Sequence, residues 1–167
     1  MSESRKVVVL STGGTFEKRY DPQSEKMWFV EGVSIVPDIL SDANVEDMEF
    51  KLIMSVDSAD MLSEHRSRLL DAIEAREEEG VVIVHGTSTM VESARYLNNL
   101  GLGKCIVLTG ALYPEQVRSR EASFNLGAAI IAASTLPAGV YIAMNGKVLH
   151  PKSTRKDMDT GKFRDSE

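Results

Sequence analysis

Five runs of apolar residues recur along the chain without interruption: "KVVVLST" (6–12), "KLIMSV" (51–56), "VVIVHG" (81–86), "CIVLTG" (105–110) and "GVYIAM" (139–144). A strand with one wet face alternates apolar and polar residues. A continuous run fits a parallel strand covered on both faces. Between the runs the apolar spacing turns helical. "SEHRSRLLDAIEAREEEG" places Leu62, Leu69 and Ile73 on one side and ends in an acidic stretch before Gly80. "TMVESARYLNNLG" places Met90, Ala94 and Leu97 at i, i+4 and i+7, and "EASFNLGAAIIAAS" does the same with Phe124, Ala128 and Ile131. Gly127 and the surrounding alanines suggest close packing.

Strands alternating with helices predict an α/β fold: an open, mostly parallel sheet with helices on both faces, of the flavodoxin or Rossmann kind. The length of 167 residues fits a single domain. Residues 16–33 are less regular and read as a mobile flap. The polar tail 150–167 reads as a solvated end.

Composition narrows the function classes. Hydrophobic residues make up 43% and aromatics 6%, enough for a core of Val, Ile, Leu, Met and Ala. The net charge is -6, from 19 basic and 25 acidic residues. That lacks the cationic surplus of a phosphate-backbone binder, so no nucleic-acid partner is expected. The apolar runs fall far short of the roughly 20 residues of a membrane span, and "MSESRKVVVL" has no signal-peptide core, so a cytoplasmic protein is expected. Cys105 is the single cysteine and reads as a buried structural thiol. His65, His85 and His150 have no close metal spacing, and no metal is expected.

Sites in open α/β sheets form at the carboxyl ends of strands. There the sequence repeats hydroxyls and glycines: "STGGT", "DSADM", "HGTST" and "TGALYP". In "TGGT", glycines let the backbone turn and bring its N–H groups near a ligand. Thr15 could then attack a carbonyl if a base takes its proton, with N–H groups near Gly14 holding the oxyanion. The same segment also reads as a plain strand-to-helix turn or an anion-binding loop. It is not GxGxxG, and no "GK[ST]" follows, so a nucleotide loop is poorly supported.

In "HGTSTMVE", Thr89 and Glu92 have capping-box spacing, which leaves Gly86, Thr87 and Ser88 for a ligand at the helix N-terminus. His85 reads as a structural histidine. Asp57, Ser58 and Asp60 form either a turn or a polar pocket. Tyr20 is a base for Thr15 or a flap anchor.

Taken together, "TGGT" (12–15), "SADM" (58–61), "HGTSTM" (85–90), "VLTGA" (107–111) and "FNLGAA" (124–129) resemble the L-asparaginase family of bacterial type. The tail "TRKDMDTGKF" resembles a short-chain group without the second domain, so that 1–167 would be a single N-terminal-type domain. The resemblance implies cofactor-free hydrolysis of L-asparagine to aspartate and ammonia through a threonine, and a homo-oligomer, dimer or tetramer. It implies Thr15 as nucleophile, Thr87 as the second threonine, Tyr20 as the flap tyrosine and Ser58 as holder of the substrate α-carboxylate. Lys156 is the best match for the family lysine, with Lys152 and Lys162 as alternatives. Two departures stand out. Ser88 replaces the aspartate that binds the substrate ammonium, and Phe16 replaces Ile or Val. Either Asp60 or Asp57 supplies the missing carboxylate, or activity is low, or the substrate differs; Asp60 is the expected ammonium binder. A non-catalytic amino-acid binding module and a glutamine hydrolase are the rival readings.

Overall fold

The computed structural model describes residues 5–118 and 120–166. Strands β1 (Val7–Gly13), β2 (Arg19–Asp21) and β3 (Lys26–Trp28) are followed by helix α1 (Val36–Asp42), β4 (Glu49–Val56) and α2 (Ser63–Glu74). Then come β5 (Gly80–Val84), α3 (Met90–Asn98), β6 (Cys105–Thr109), α4 (Glu121–Thr135) and β7 (Gly139–Met144). Three short strands close the chain: β8 (Lys147–Leu149), β9 (Thr154–Lys156) and β10 (Phe163–Asp165).

All five apolar runs are strands of one six-stranded sheet, in the order β4-β1-β5-β6-β7-β8. The first five are parallel and β8 pairs antiparallel with β7. The α/β expectation therefore holds. The chain enters at β1, steps outward to β4 and then returns to β5 on the other side. That reversal is the topological switch point of the sheet, and open α/β sheets place ligand sites at the carboxyl ends of the strands there, here β1 and β5.

Burial alternates along each strand and feeds two cores. Val8, Leu10, Val81, Ile83, Ile106 and Leu108 pack with Leu69 and Ile73 of α2 and Met90, Ala94 and Leu97 of α3. Val7, Val9, Val82, Val84 and Val107 pack on the opposite face with Val36, Ile39 and Leu40 of α1 and the alanines of α4. Each such Val, Leu, Ile or Met side chain contributes about 1.5–3 kcal/mol on burial.

Several expectations require correction. Leu62 lies outside α2 and is exposed. Its N–H is instead accepted by His65 Nδ1 at 3.0 Å. On α4 the expected face points outward, with Phe124 and Ile131 exposed by 61% and 64%. The buried face carries Ala122, Asn125, Leu126, Ala129, Ala132 and Ala133. Apolar residues surround this helix, so periodicity alone does not choose the side; small residues win because they let the helix sit close on the strands. Gly127 is exposed, and a Cβ there would meet nothing.

The flap segment contains the β2–β3 hairpin and is followed by α1, which has a proline in its first turn. The tail is not a bare solvated end: β9 pairs with β10, Phe163 is buried, and Arg95 donates to the carbonyls of Pro151 and Thr154.

Candidate active site

The end of β1 sorts its hydroxyls. Ser11 Oγ donates to Glu17 Oε1 at 2.5 Å, and Thr12 Oγ1 donates to the Val84 carbonyl at 3.0 Å. Both side chains are fully buried and serve the fold. Glu17, 3% exposed, also accepts from Ser34 Oγ and the Ile35 N–H, each at 2.8 Å. This buried carboxylate clamps both stems of the flap. Thr15 is left half-buried at the start of a single 3-10 turn, Thr15–Glu17, and no hydrogen bond of its hydroxyl is found among the described residues.

The paired glycines bring three loops together. Gly14 has φ 78°, and a Cβ there would lie 2.5 Å from the Gly86 nitrogen. A Cβ on Gly86 would lie 2.6 Å from Ser58 Cβ. Backbone therefore presses on backbone between the β1 and β5 loops, and the β4 loop seals the far side. Ser58 is 1% exposed; its Oγ accepts the Ser88 N–H at 3.0 Å, and its carbonyl accepts the Thr89 hydroxyl at 2.7 Å. The Thr89 hydroxyl thus ties two loops together rather than capping α3, which has no side-chain cap. The expected capping box is not formed.

Thr87 is 7% exposed, and Lys156 Nζ donates to its Oγ1 at 2.9 Å. Lys156 comes from β9, which reaches the site because the tail hairpin packs beside α3. Burial pushes the Lys156 amine below its ordinary pKa. Lys152 and Lys162 are exposed, and among the described residues neither meets Thr87. Lys162 instead lines a separate surface groove of about 740 Å³ with Tyr113, Arg118 and Asn145.

His85 is fully buried. Its Nδ1 lies 2.7 Å from the Gly86 carbonyl and its Nε2 lies 3.0 Å from Met61 Sδ. Desolvation lowers its pKa to about 4, so the ring is neutral, with the proton on Nδ1 facing the carbonyl. It supports the loop as a structural side chain. Cys105 is likewise buried, and burial raises its thiol pKa.

Tyr20 lies on β2 and is 52% exposed. Its backbone N–H donates to Gln116 Oε1 at 2.6 Å, and no contact of its hydroxyl with Thr15 is found among the described residues. Asp57 and Asp60 separate. Ser58–Asp60 is a 3-10 turn, in which side chains three apart share a face. Ser58 and Met61 point inward and are buried, whereas Ala59 and Asp60 are exposed. Asp60 therefore stands on the outer side of its turn.

Asp57 Oδ2 is paired with Lys18 Nζ at 2.5 Å. Lys18 holds the carboxyl of Asp57 below the usual range. The same ammonium lies 5.4 Å from the Trp28 ring centre and 5.7 Å from that of Phe29. Sequence reasoning misses Lys18, whose only local signal is a charge three residues after Thr15. It misses Glu17 as well. Among the described residues, no three His, Cys, Asp or Glu side chains converge as a metal site would require, and no helix is long and apolar enough to cross a membrane.

Most of the chain is similar to known proteins. A probable periplasmic L-asparaginase of Haemophilus influenzae is 31% identical over 92% of the chain and 47% of its own length. One component of the glutamyl-tRNA(Gln) amidotransferase of Methanococcus maripaludis is 32% identical over 86% of the chain and 35% of its own length. The crystal structure of a probable cytoplasmic L-asparaginase from Campylobacter jejuni superposes with a TM-score of 0.77 at 28% identity, covering 96% of this chain and 53% of that one. The chain thus spans about half the length of these relatives or less. The model of the family described as "Asparaginase, N-terminal" matches residues 6–164, nearly the whole chain, and the chain therefore belongs to the asparaginase N-terminal family.

Proposed function

We propose that this chain is an amidohydrolase that releases ammonia from the side-chain amide of a small carboxylate, with L-asparagine as the first substrate to test. The observation that carries the reading is the Lys156–Thr87 hydrogen bond of 2.9 Å, set beside the Gly14–Gly86 contact that leads into Thr15. A reactive hydroxyl needs a base and an amide needs an oxyanion partner. One lysine, two threonines and the N–H groups around Gly14 and Thr87 can supply both.

In this mechanism Thr15 Oγ attacks the amide carbon and gives up its proton, with Tyr20 or Lys156 assisting. The C–N bond breaks, and the nitrogen leaves as ammonia with that proton. Water then attacks the ester, and the threonine hydroxyl is restored as the carboxylate product departs. Ser58 and Ser88, beside the N-terminus of α3, would hold the substrate carboxylate. A second assignment makes Thr87 the nucleophile. It is favoured by the fact that Lys156 bonds to Thr87, whereas no partner of the Thr15 hydroxyl is found among the described residues.

The cytoplasmic location and the homo-oligomer belong to the same proposal. The names of its relatives include a periplasmic and a cytoplasmic asparaginase. An ammonia-release assay with asparagine and glutamine tests the reading. Turnover of either supports the hydrolase; calorimetric binding of both without turnover assigns the chain to amino-acid binding instead.

A further inference from the structure

An α-amino acid brings an ammonium into its site, and a site built for it needs a carboxylate free to meet that charge. Asp57 is the more sheltered of the two carboxylates on the β4 loop, and it is already paired with Lys18 at 2.5 Å. Both side chains are largely sheltered: Lys18 is 17% exposed and Asp57 25%. The Lys18 ammonium is held on its other side by the rings of Trp28 and Phe29, an arrangement that stabilises a cation. Ser88 and Ala59 offer no charge. Asp60 stands outside its turn. Glu17 is used up by three donors inside the fold.

From this we infer that Lys18 sets the substrate class: its ammonium occupies the place a substrate ammonium would take beside Asp57, and the site accepts the monoamide of a dicarboxylic acid without an α-amino group. Such a molecule carries one carboxylate, one amide and a net charge of minus one. A zwitterion such as asparagine would bring a second ammonium against Lys18 or would have to displace it from its ion pair and both rings. The inference rests on the hydrolase reading for its chemistry, but on the Lys18–Asp57 pair alone for its selectivity.

The test compares succinamate, which is asparagine without its amino group, with L-asparagine. The wild-type protein is expected to release ammonia from succinamate with kcat/KM at least tenfold higher. Lys18→Met is expected to reduce that ratio at least tenfold, and Lys18→Arg to keep it. Lys18→Gln, which keeps a polar side chain without the charge, is expected to lower the ratio as Lys18→Met does and covers the case in which Lys18→Met does not fold. A wild-type preference for asparagine, or a ratio that Lys18→Met leaves unchanged, overturns the inference. Ammonia from neither compound would sink the hydrolase reading, and calorimetry then decides the selectivity separately. Succinamate binding at least tenfold tighter than asparagine upholds it; equal binding, or none, overturns it.

Discussion

Lys156 Nζ donates to Thr87 Oγ1 across 2.9 Å, although 69 residues separate them. The contact joins the tail hairpin to the loop after β5 and gives the crevice an amine able to move a proton. Burial lowers the pKa of that amine. A neutral amine accepts the proton that a charged one cannot, so the ascending limb of kcat against pH should lie below the ordinary lysine value of about 10.4. Lys156→Met should lower kcat by at least 10²-fold and remove that limb. A variant that keeps both rate and profile would show that the lysine serves only to hold the hairpin.

The two threonines can be told apart by covalent trapping. Acid-quenching during turnover, followed by mass spectrometry of peptides, should find the acyl group on residue 15. Thr15→Ala should remove the adduct and most of the rate, while Thr87→Ala should slow the reaction and leave a trappable ester. An adduct on residue 87 would select the second assignment.

Asp60→Ala should leave KM within about twofold, because its side chain is exposed and no hydrogen bond or ion pair ties it to the loops of Thr15 and Thr87 among the described residues. A tenfold rise in KM for asparagine would restore this aspartate as the ammonium receptor.

His85 makes stability depend on pH. Its folded pKa of about 4 lies below the ordinary 6.5. Between those values the unfolded chain binds the proton and the folded chain does not, so stability falls as pH drops through this window. The loss between pH 7 and pH 5 should be about 2 kcal/mol. Urea melts at the two values, for wild type and His85→Gln, should show the variant losing less stability than wild type on acidification by about that amount.

Gly86→Ala should destabilise the protein by at least about 2 kcal/mol, since the added methyl would enter the space of Ser58. Thermal melts of Gly86→Ala and the exposed Gly127→Ala should diverge, with the latter at or above wild type because alanine is the better helix former.

How far the sequence reaches can be read from particular residues. Val81–Val84 and Ile106–Leu108 are buried on both faces, so their strands show as unbroken apolar runs. Hydroxyls and glycines at the strand ends mark the crevice because close backbone approach needs glycine. The burying face of α4 does not show, because Phe124 and Ile131 are as apolar as the alanines opposite. Helix α1 leaves a trace in Val36, Ile39 and Leu40 that the irregular flap beside it obscures. The Lys18–Asp57 pair spans 39 residues, and no local pattern encodes a partner chosen by the fold. The same holds for Thr89, whose spacing to Glu92 suggests a cap while its hydroxyl is taken by Ser58.

The Glu17 clamp has a consequence for how the crevice could admit a molecule. With Ser11, Ser34 and Ile35 fastened to one interior carboxylate, residues 18–33 are a visor riveted at both temples. Two more ties, Lys18 to Asp57 and the Tyr20 N–H to Gln116, fasten its leading half to neighbouring loops. A protease nick at its brow, near Ser24 and Glu25, should therefore loosen the grip on incoming molecules while the reactive wall stays assembled.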